Sequence, residues 1–266
     1  MSAGIGYNSR LHIVTEAKNG QTTPKSTFFS APYKLANYFR LNNGGIEYIL
    51  MNASAGIMAR DNYFLEIEVG NESHVVLSSQ SFEKIHKMVD GTAKRETRVK
   101  IGKQAYFKYI PLPTIPFAES NFNNVTTIHL QDVTAKLSYL EILSCGRHLR
   151  GERFKYKLYK SLIDIYQMDK LVFKDNSVFE SEVTNLEGLG MFEGYTHLAN
   201  LILFGFFISE NSTAAIAELF SIYKIDGGVT ALLNGGCLIR ALANESEVLM
   251  RCFQEIIFTL EAENHC

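Results

Sequence analysis

The amino-acid sequence predicts a mainly β protein, with many short strands in layered sheets and two α-helices near the C-terminus. Three observations carry this expectation. Strand-like segments recur at intervals of roughly 8–12 residues, the spacing of layered β architectures. All five prolines, at positions 24, 32, 111, 113 and 116, fall in the first half of the chain. The hydrophobic period then changes from two to about 3.6 in the last quarter, as it does where strands give way to helices.

Residues 63–69 alternate large apolar side chains with others and stop at Gly70-Asn71, a turn signal. Residues 74–79 follow at once, so 63–80 read as a hairpin-like pair. Residues 97–101 and 105–109, and then 126–130 and 136–140, repeat the scheme. Further on, Ile216, Leu219, Phe220 and Tyr223 share one helical face, with Asn211 or Ser212 placed to cap its start. Asn244-Glu245-Ser246-Glu247 has the spacing of a capping box. Val248, Leu249, Cys252, Phe253, Ile256, Ile257 and Leu260 then trace a single apolar stripe, which predicts a helix over 245–262. Between the helices, Gly227-Gly228 and Gly235-Gly236 bracket segments that read as strands. No linker rich in proline, serine or charge interrupts the chain, so residues 1–266 are expected to form one domain.

Bulk composition excludes several classes. A hydrophobic fraction of 46% is ample for a packed core. Lys plus Arg is 26 against 28 Asp plus Glu, a formal net charge of −2, so the electropositive footprint of a nucleic-acid binder is missing. The N-terminus lacks the basic and apolar segments of a signal peptide, and the longest apolar stretch, 198–208, is interrupted by Asn200 and Gly205. A cytoplasmic protein outside the membrane is therefore expected. The four cysteines, at 145, 237, 252 and 266, form no CxxC pair and read as reduced thiols.

Little in the sequence assembles a catalytic centre. No phosphate-binding loop, GxSxG elbow or HExxH segment occurs. Gly188, Gly190 and Gly194 fit a dinucleotide fingerprint only loosely and lack a strand-to-helix context. Ser79 or Ser81 with His86 offers a nucleophile and a base, the alternative reading of a β-rich serine hydrolase, but no acid is at hand to orient the imidazole. The seven histidines are scattered, and no two His or Cys residues stand at i, i+2 or i, i+4. Cys145 and His148 are separated by a glycine bend and read as a buried thiol and a surface imidazole. His265-Cys266 at the chain end offers donors for a soft or borderline cation. Glu141 and Asp175 are more informative, because each carboxylate lies in or just after an apolar strand, where an unpaired charge is costly. They either pair with a base, Arg147 being near Glu141 in sequence, or line a water-filled passage that attracts a cation without trapping it.

Five phrases, in order, carry a resemblance to a known family. Ser54-Ala55-Gly56-Ile57-Met58-Ala59-Arg60-Asp61 looks like an early turn closing on Gly-Asp, with Ala55 where proline is usual and Arg60 in place of a glycine. Ser78-Ser79-Gln80-Ser81 with Lys84-Ile85-His86 is similar to a polar Ser/Thr-Gln segment. Pro111-Leu112-Pro113 with Ile115-Pro116-Phe117 matches a proline-rich segment. The run from Glu141 to Cys145-Gly146-Arg147 resembles an acidic residue followed by Gly-Arg, and Met191-Phe192-Glu193-Gly194-Tyr195-Thr196-His197 completes the set. Together they resemble the urease accessory proteins of the UreD/UreH family, in the UreH version.

The resemblance implies helix-like winding of the strands. It also implies a scaffold without turnover of its own that binds UreF, and through it the GTPase UreG, as a dimer of heterodimers, and docks on the urease apoprotein. Nickel would pass through an internal tunnel, with no tightly bound cofactor and with Glu141 and Asp175 as path carboxylates. Asp61, Ser79, Gln80, His86, Pro113, Pro116, Cys145 and Arg147 become motif residues at partner contacts or along that tunnel. A purely structural adaptor that never touches metal is the remaining alternative.

Overall fold

The structure, a computed structural model, describes residues 8–264. The chain opens with β1 (Asn8–Lys18), β2 (Gln21–Phe29), β3 (Tyr33–Leu35), β4 (Phe39–Arg40) and β5 (Ile46–Asn52). Six strands follow: β6 (Asn62–Val69), β7 (His74–Ser79), β8 (Glu83–Ile85), β9 (Ala93–Ile101), β10 (Tyr106–Ile110) and β11 (Thr114–Pro116). Next come β12 (Asn121–Leu130), β13 (Lys136–Ser144), β14 (Leu158–Gln167), β15 (Lys170–Phe179) and β16 (His197–Phe204). Helix α1 (Glu210–Tyr223), β17 (Asp226–Ala231), β18 (Gly236–Ala243) and α2 (Ser246–Glu263) close the chain.

Between β5 and β14 most successive strands cross between two sheets, whereas β1–β2, β14–β15 and β17–β18 fold back as antiparallel pairs. A seven-stranded sheet has the order β15-β14-β12-β9-β6-β1-β2, and an eleven-stranded sheet runs β17-β18-β16-β13-β10-β7-β5-β3, with β4, β8 and β11 at its margin. The centre of each sheet is parallel: β1, β6, β9, β12 and β14 in one, and β5, β7, β10 and β13 in the other. The chain therefore winds as a coil, one strand per wall. The hairpin expected over 63–80 does not form. Residue 62–69 strand β6 pairs with β1 and β9, whereas β7 pairs with β5 and β10 in the opposite sheet. A short glycine-containing turn reads alike whether it reverses a strand or carries it around a corner to a stacked sheet about 10 Å away.

Burial separates the layers. In β6 and β9 buried and less buried residues alternate, because the outer face of the smaller sheet meets solvent. In β13 and β16 nearly every residue is buried, because the larger sheet is covered on both faces. Leu11, Leu65, Val99, Ile128, Leu77, Phe107 and Leu137 fill the space between the sheets. On the far side, Leu140, Leu201 and Ile239 pack against Phe220 of α1 and Phe253 and Ile256 of α2.

The helix starts differ from the sequence expectation. Ser209 caps α1 through a reciprocal pair with Ser212, each hydroxyl accepting from the other's amide at 3.0 Å. At α2 the cap position is Glu245 and not Asn244, with no side-chain cap, and the Asn244 carbonyl accepts from the Thr196 hydroxyl. Arg60, in the turn before β6, adopts φ 69°, the left-handed conformation that glycine takes most easily. No helix among the described residues is long and apolar enough to cross a membrane.

Candidate functional site

A polar seam crosses the otherwise apolar interior. Strand register builds it. In the smaller sheet one inward-facing rung runs Ser9, Tyr63, Arg95, Asn124, Ser161 and Ser177 across six neighbouring strands. In the larger sheet Glu141, Asn200 and Arg240 lie side by side on β13, β16 and β18. Period two places each of these on the same face as apolar neighbours, so packing encloses them.

Their hydrogen bonds form two networks, one around Glu141 and one around Asp175. Arg95 is held bidentately by Glu83 at 2.5 and 2.7 Å and donates through Nε to Asn124 Oδ1 at 3.0 Å. Asn124 Nδ2 then donates to Glu141 Oε1 at 3.4 Å and to Ser161 Oγ at 3.3 Å. Tyr139 donates to the same Glu141 oxygen at 2.9 Å, and Ser161 donates to Oε2 at 3.3 Å. At the far end Arg240 donates to Asn200 at 2.7 Å and to Asp175 at 2.8 Å, and Ser177 donates to Asp175 at 3.1 Å.

Burial sets the electrostatics. It pushes the Glu141 carboxyl above its ordinary pKa, against the Tyr139 hydrogen bond and the Arg95 charge, which favour ionisation. Burial likewise raises Tyr109 to about 12 and lifts Tyr33, Tyr139 and Tyr159 well up. It opposes the charge on Arg95 too, yet the Glu83 carboxylate and the surrounding phenols hold that group well above the ordinary arginine value.

Two cavities lie along the seam. The larger, about 290 Å³, is lined at its surface end by Ala55, Phe82, Lys84 and Leu112 and reaches inward past Arg95 and Tyr109 to Glu141. The smaller, about 20 Å³, lies between Glu141, Ser161, Asp175 and Asn200. It just exceeds the ~10–15 Å³ that one water occupies. Glu141 and Tyr159 line both. Carboxylate, hydroxyl and amide oxygens suit a divalent cation bound loosely and exchangeably. No group of three or more His, Cys, Asp and Glu side chains poised for a metal occurs among the described residues.

The structure thus brings Glu141 and Asp175 to one cavity, although they lie on opposite sheets. Arg147 is not the base beside Glu141. It pairs with Glu152 and lies 3.9 Å over the Phe117 ring, while Glu141 faces Tyr139, Asn124 and Ser161.

Of the remaining motif residues, Ser79 lines the larger cavity, its hydroxyl accepting from the Leu112 amide at 2.8 Å. Gln80 is exposed, and its amide donates to Leu50. His86 bonds the Ala55 carbonyl at 3.0 Å and packs edge-on against Phe117, so neither Ser79 nor Ser81 shares a hydrogen bond with it. Asp61 is buried and accepts from the Met58 amide and the Tyr63 hydroxyl, fixing the turn. Pro113 and Pro116 are buried beside β8, where the Pro113 carbonyl accepts from Glu83. Cys145 is a buried free thiol, raised in pKa by burial, at the end of β13. Gly188 to Gly194 lie in turns, without the helix a dinucleotide site needs. The pair His265-Cys266 lies outside the described residues.

Sequence reading missed Arg95, Asn124, Ser161 and Arg240. The signal was present in β9 and β12, where Arg95 shares the buried phase of Val99 and Ile101, and Asn124 that of Phe122 and Ile128.

Fold and site define a class of mainly β protein: a two-sheet coil with a polar, cavity-bearing interior and a helical cover. The family model described as UreD urease accessory protein matches residues 7–265. The chain is similar to the urease accessory protein UreD of Acetivibrio thermocellus, at 35% identity over 97% of this chain and 100% of that protein. It is also similar to the urease accessory protein UreH of a Helicobacter pylori strain, at 32% identity over 93% of each chain. A third relative is UreD of Flavobacterium johnsoniae, at 31% identity over 93% of this chain and 90% of that protein. The chain belongs to the UreD family of urease accessory proteins.

Proposed function

We propose that this chain is a urease maturation factor, a cytoplasmic, non-catalytic scaffold that conveys nickel toward the urease active site along the seam between its sheets. Family membership supports the role in maturation, and the relatives are named as accessory proteins. One observation supports the path: Glu141 lines two cavities, and Asp175 lines the smaller of them. Asp175 is paired with Arg240, whereas Glu141 is ringed by phenol, hydroxyl and amide groups, a set that attracts Ni2+ yet offers too few donors to retain it. The ion is cargo in transit, with no cofactor held tightly. The scaffold binds UreF, and through it UreG, as a dimer of heterodimers, and docks on the urease apoprotein.

The test replaces both path carboxylates, Glu141→Gln with Asp175→Asn, and measures nickel per urease together with co-purification of UreF. The expected result is intact assembly with nickel content reduced several-fold. Unchanged nickel content in an intact assembly would leave an adaptor that never meets the metal.

A further inference from the structure

Away from the seam, two imidazoles face each other. His148 opens a short 3-10 turn (His148–Arg150), and His197 begins β16 opposite Ser144. Their rings meet edge to face, with centres 6.1 Å apart at 89°. His197 is only 6% exposed, whereas His148 is half-buried and makes no side-chain hydrogen bond among the described residues.

The hydrogen bonds around His197 fix its tautomer. Thr196 donates its single hydroxyl proton to the Asn244 carbonyl at 2.8 Å. The contact of that hydroxyl with His197 Nδ1, also at 2.8 Å, must then run from Nδ1–H to the oxygen. The proton sits on Nδ1, so Nε2 carries the lone pair. This is the outer hydrogen bond that metal-binding histidines use to set ring orientation and raise ligand basicity.

We propose that His148 and His197 form a second divalent-metal site, at the surface and separate from the interior seam. A metal–imidazole bond of about 2.1 Å places the ion roughly 3 Å from the ring centre. Two such arms bridge the observed 6.1 Å separation after a small rotation of His148. Imidazole donors select borderline transition-metal dications, Ni2+, Zn2+ or Cu2+, over Mg2+ and Ca2+. Water completes the coordination sphere, so the ion is exchangeable. Arg153, which donates to the carbonyls of Gly194 and Tyr195, is paired with Glu187, so its charge is largely offset near the site. The site does not depend on the nickel-path reading, since it shares no residue with it.

The experiment titrates Ni2+ alone into the purified full-length chain by calorimetry. Every arm carries His265→Ala and Cys266→Ser, so that donors at the chain end are not counted. His148→Ala is expected to remove one binding event or weaken it at least tenfold, whereas Glu141→Gln with Asp175→Asn leaves that event in place. His148 is half-buried in a surface turn, so this variant tests the site even if His197→Ala fails to fold. Thr196→Val keeps both rings but removes the acceptor for Nδ1–H, and should weaken binding several-fold. X-ray absorption of the bound nickel should show two imidazole nitrogens. Wild-type binding by the His148→Ala variant, or a spectrum with oxygen ligands alone, would overturn the proposal.

Discussion

Arg240 of the larger sheet donates to Asp175 of the smaller one, Nη2 to Oδ2 at 2.8 Å, closing the gap between the walls at the far end of the polar seam. The pair is partly solvated, with side-chain exposures of 46% and 18%, so its contribution to stability is modest. Arg240→Ala should lower the unfolding free energy by about 1 kcal/mol or less, measured by urea denaturation. Its larger effect should be functional, because the Asp175 carboxylate then faces the smaller cavity without a competing cation. Retention of more Ni2+ by this variant than by wild type in equilibrium dialysis would show it, and Asp175→Asn in the same background should reverse the gain.

The Glu83–Arg95 pair should behave oppositely. Its guanidinium is only 10% exposed, and Glu83 is 23% exposed. Glu83→Ala leaves a buried cation without its partner, a loss of about 3–5 kcal/mol. Removing both charges with Glu83→Leu and Arg95→Met should cost less than the single change, since no charge is then stranded. Urea midpoints of the two variants decide it, and equal losses would mean that the pairing is not what matters.

The pH dependence has two opposed parts. His74 is lowered to about 4 by burial, then by the Lys108 charge, with Glu261 acting in the other direction. His197 is lowered to about 4 as well. In the unfolded chain both take a proton near pH ~6.5. Below that point the unfolded state binds more protons, so stability declines as pH falls, by up to about 1.4 kcal/mol per unit per histidine, until the folded rings protonate too. Glu141 has the reverse sign. Its raised pKa means that the folded state protonates first, so acid relieves a strain present at neutral pH. Glu141→Gln should therefore be more stable than wild type at pH 7 while passing less nickel. His74→Gln should flatten the decline between pH 6.5 and 4. Denaturation curves across that range report both.

Gly146 supplies a backbone test. It holds φ 116°, and an added Cβ would stand 2.2 Å from the Glu152 carbonyl oxygen. Gly146→Ala should cost at least about 2 kcal/mol and displace Arg147 from Phe117. A melting temperature within a degree or two of wild type would contradict the strain.

Strand content and both helices were legible because their signals are local. Alternation marked β6 and the stripe from Leu249 to Leu260 marked α2, and both elements lie within a residue or two of the expected bounds. Pairing was not legible, because the turn after Val69 has the same composition whether β7 returns beside β6 or crosses to the other wall. Glu141 and Asp175 stood out as carboxylates in apolar strands, but their shared cavity depends on register between strands 30 residues apart and more. Arg240 could not be foreseen as the partner of Asp175, since 65 positions separate them. Arg147 is a candidate base for Glu141 by proximity in sequence alone, and the bend at Gly146 turns it toward Glu152 instead.

Alternate delivery of strands to the two walls restricts how this molecule can move. A clamshell has a single hinge, but here nearly every corner from Asn52 to Leu158 ties one wall to the other. Spreading the sheets would require those corners to lengthen together, which amounts to unwinding the coil. Any widening around Glu141 must then come from rotation of individual rings and arms, Tyr109, Tyr159 and Arg95 foremost. Under the proposed role, transit along the seam would be throttled one side chain at a time, inside a housing that stays shut.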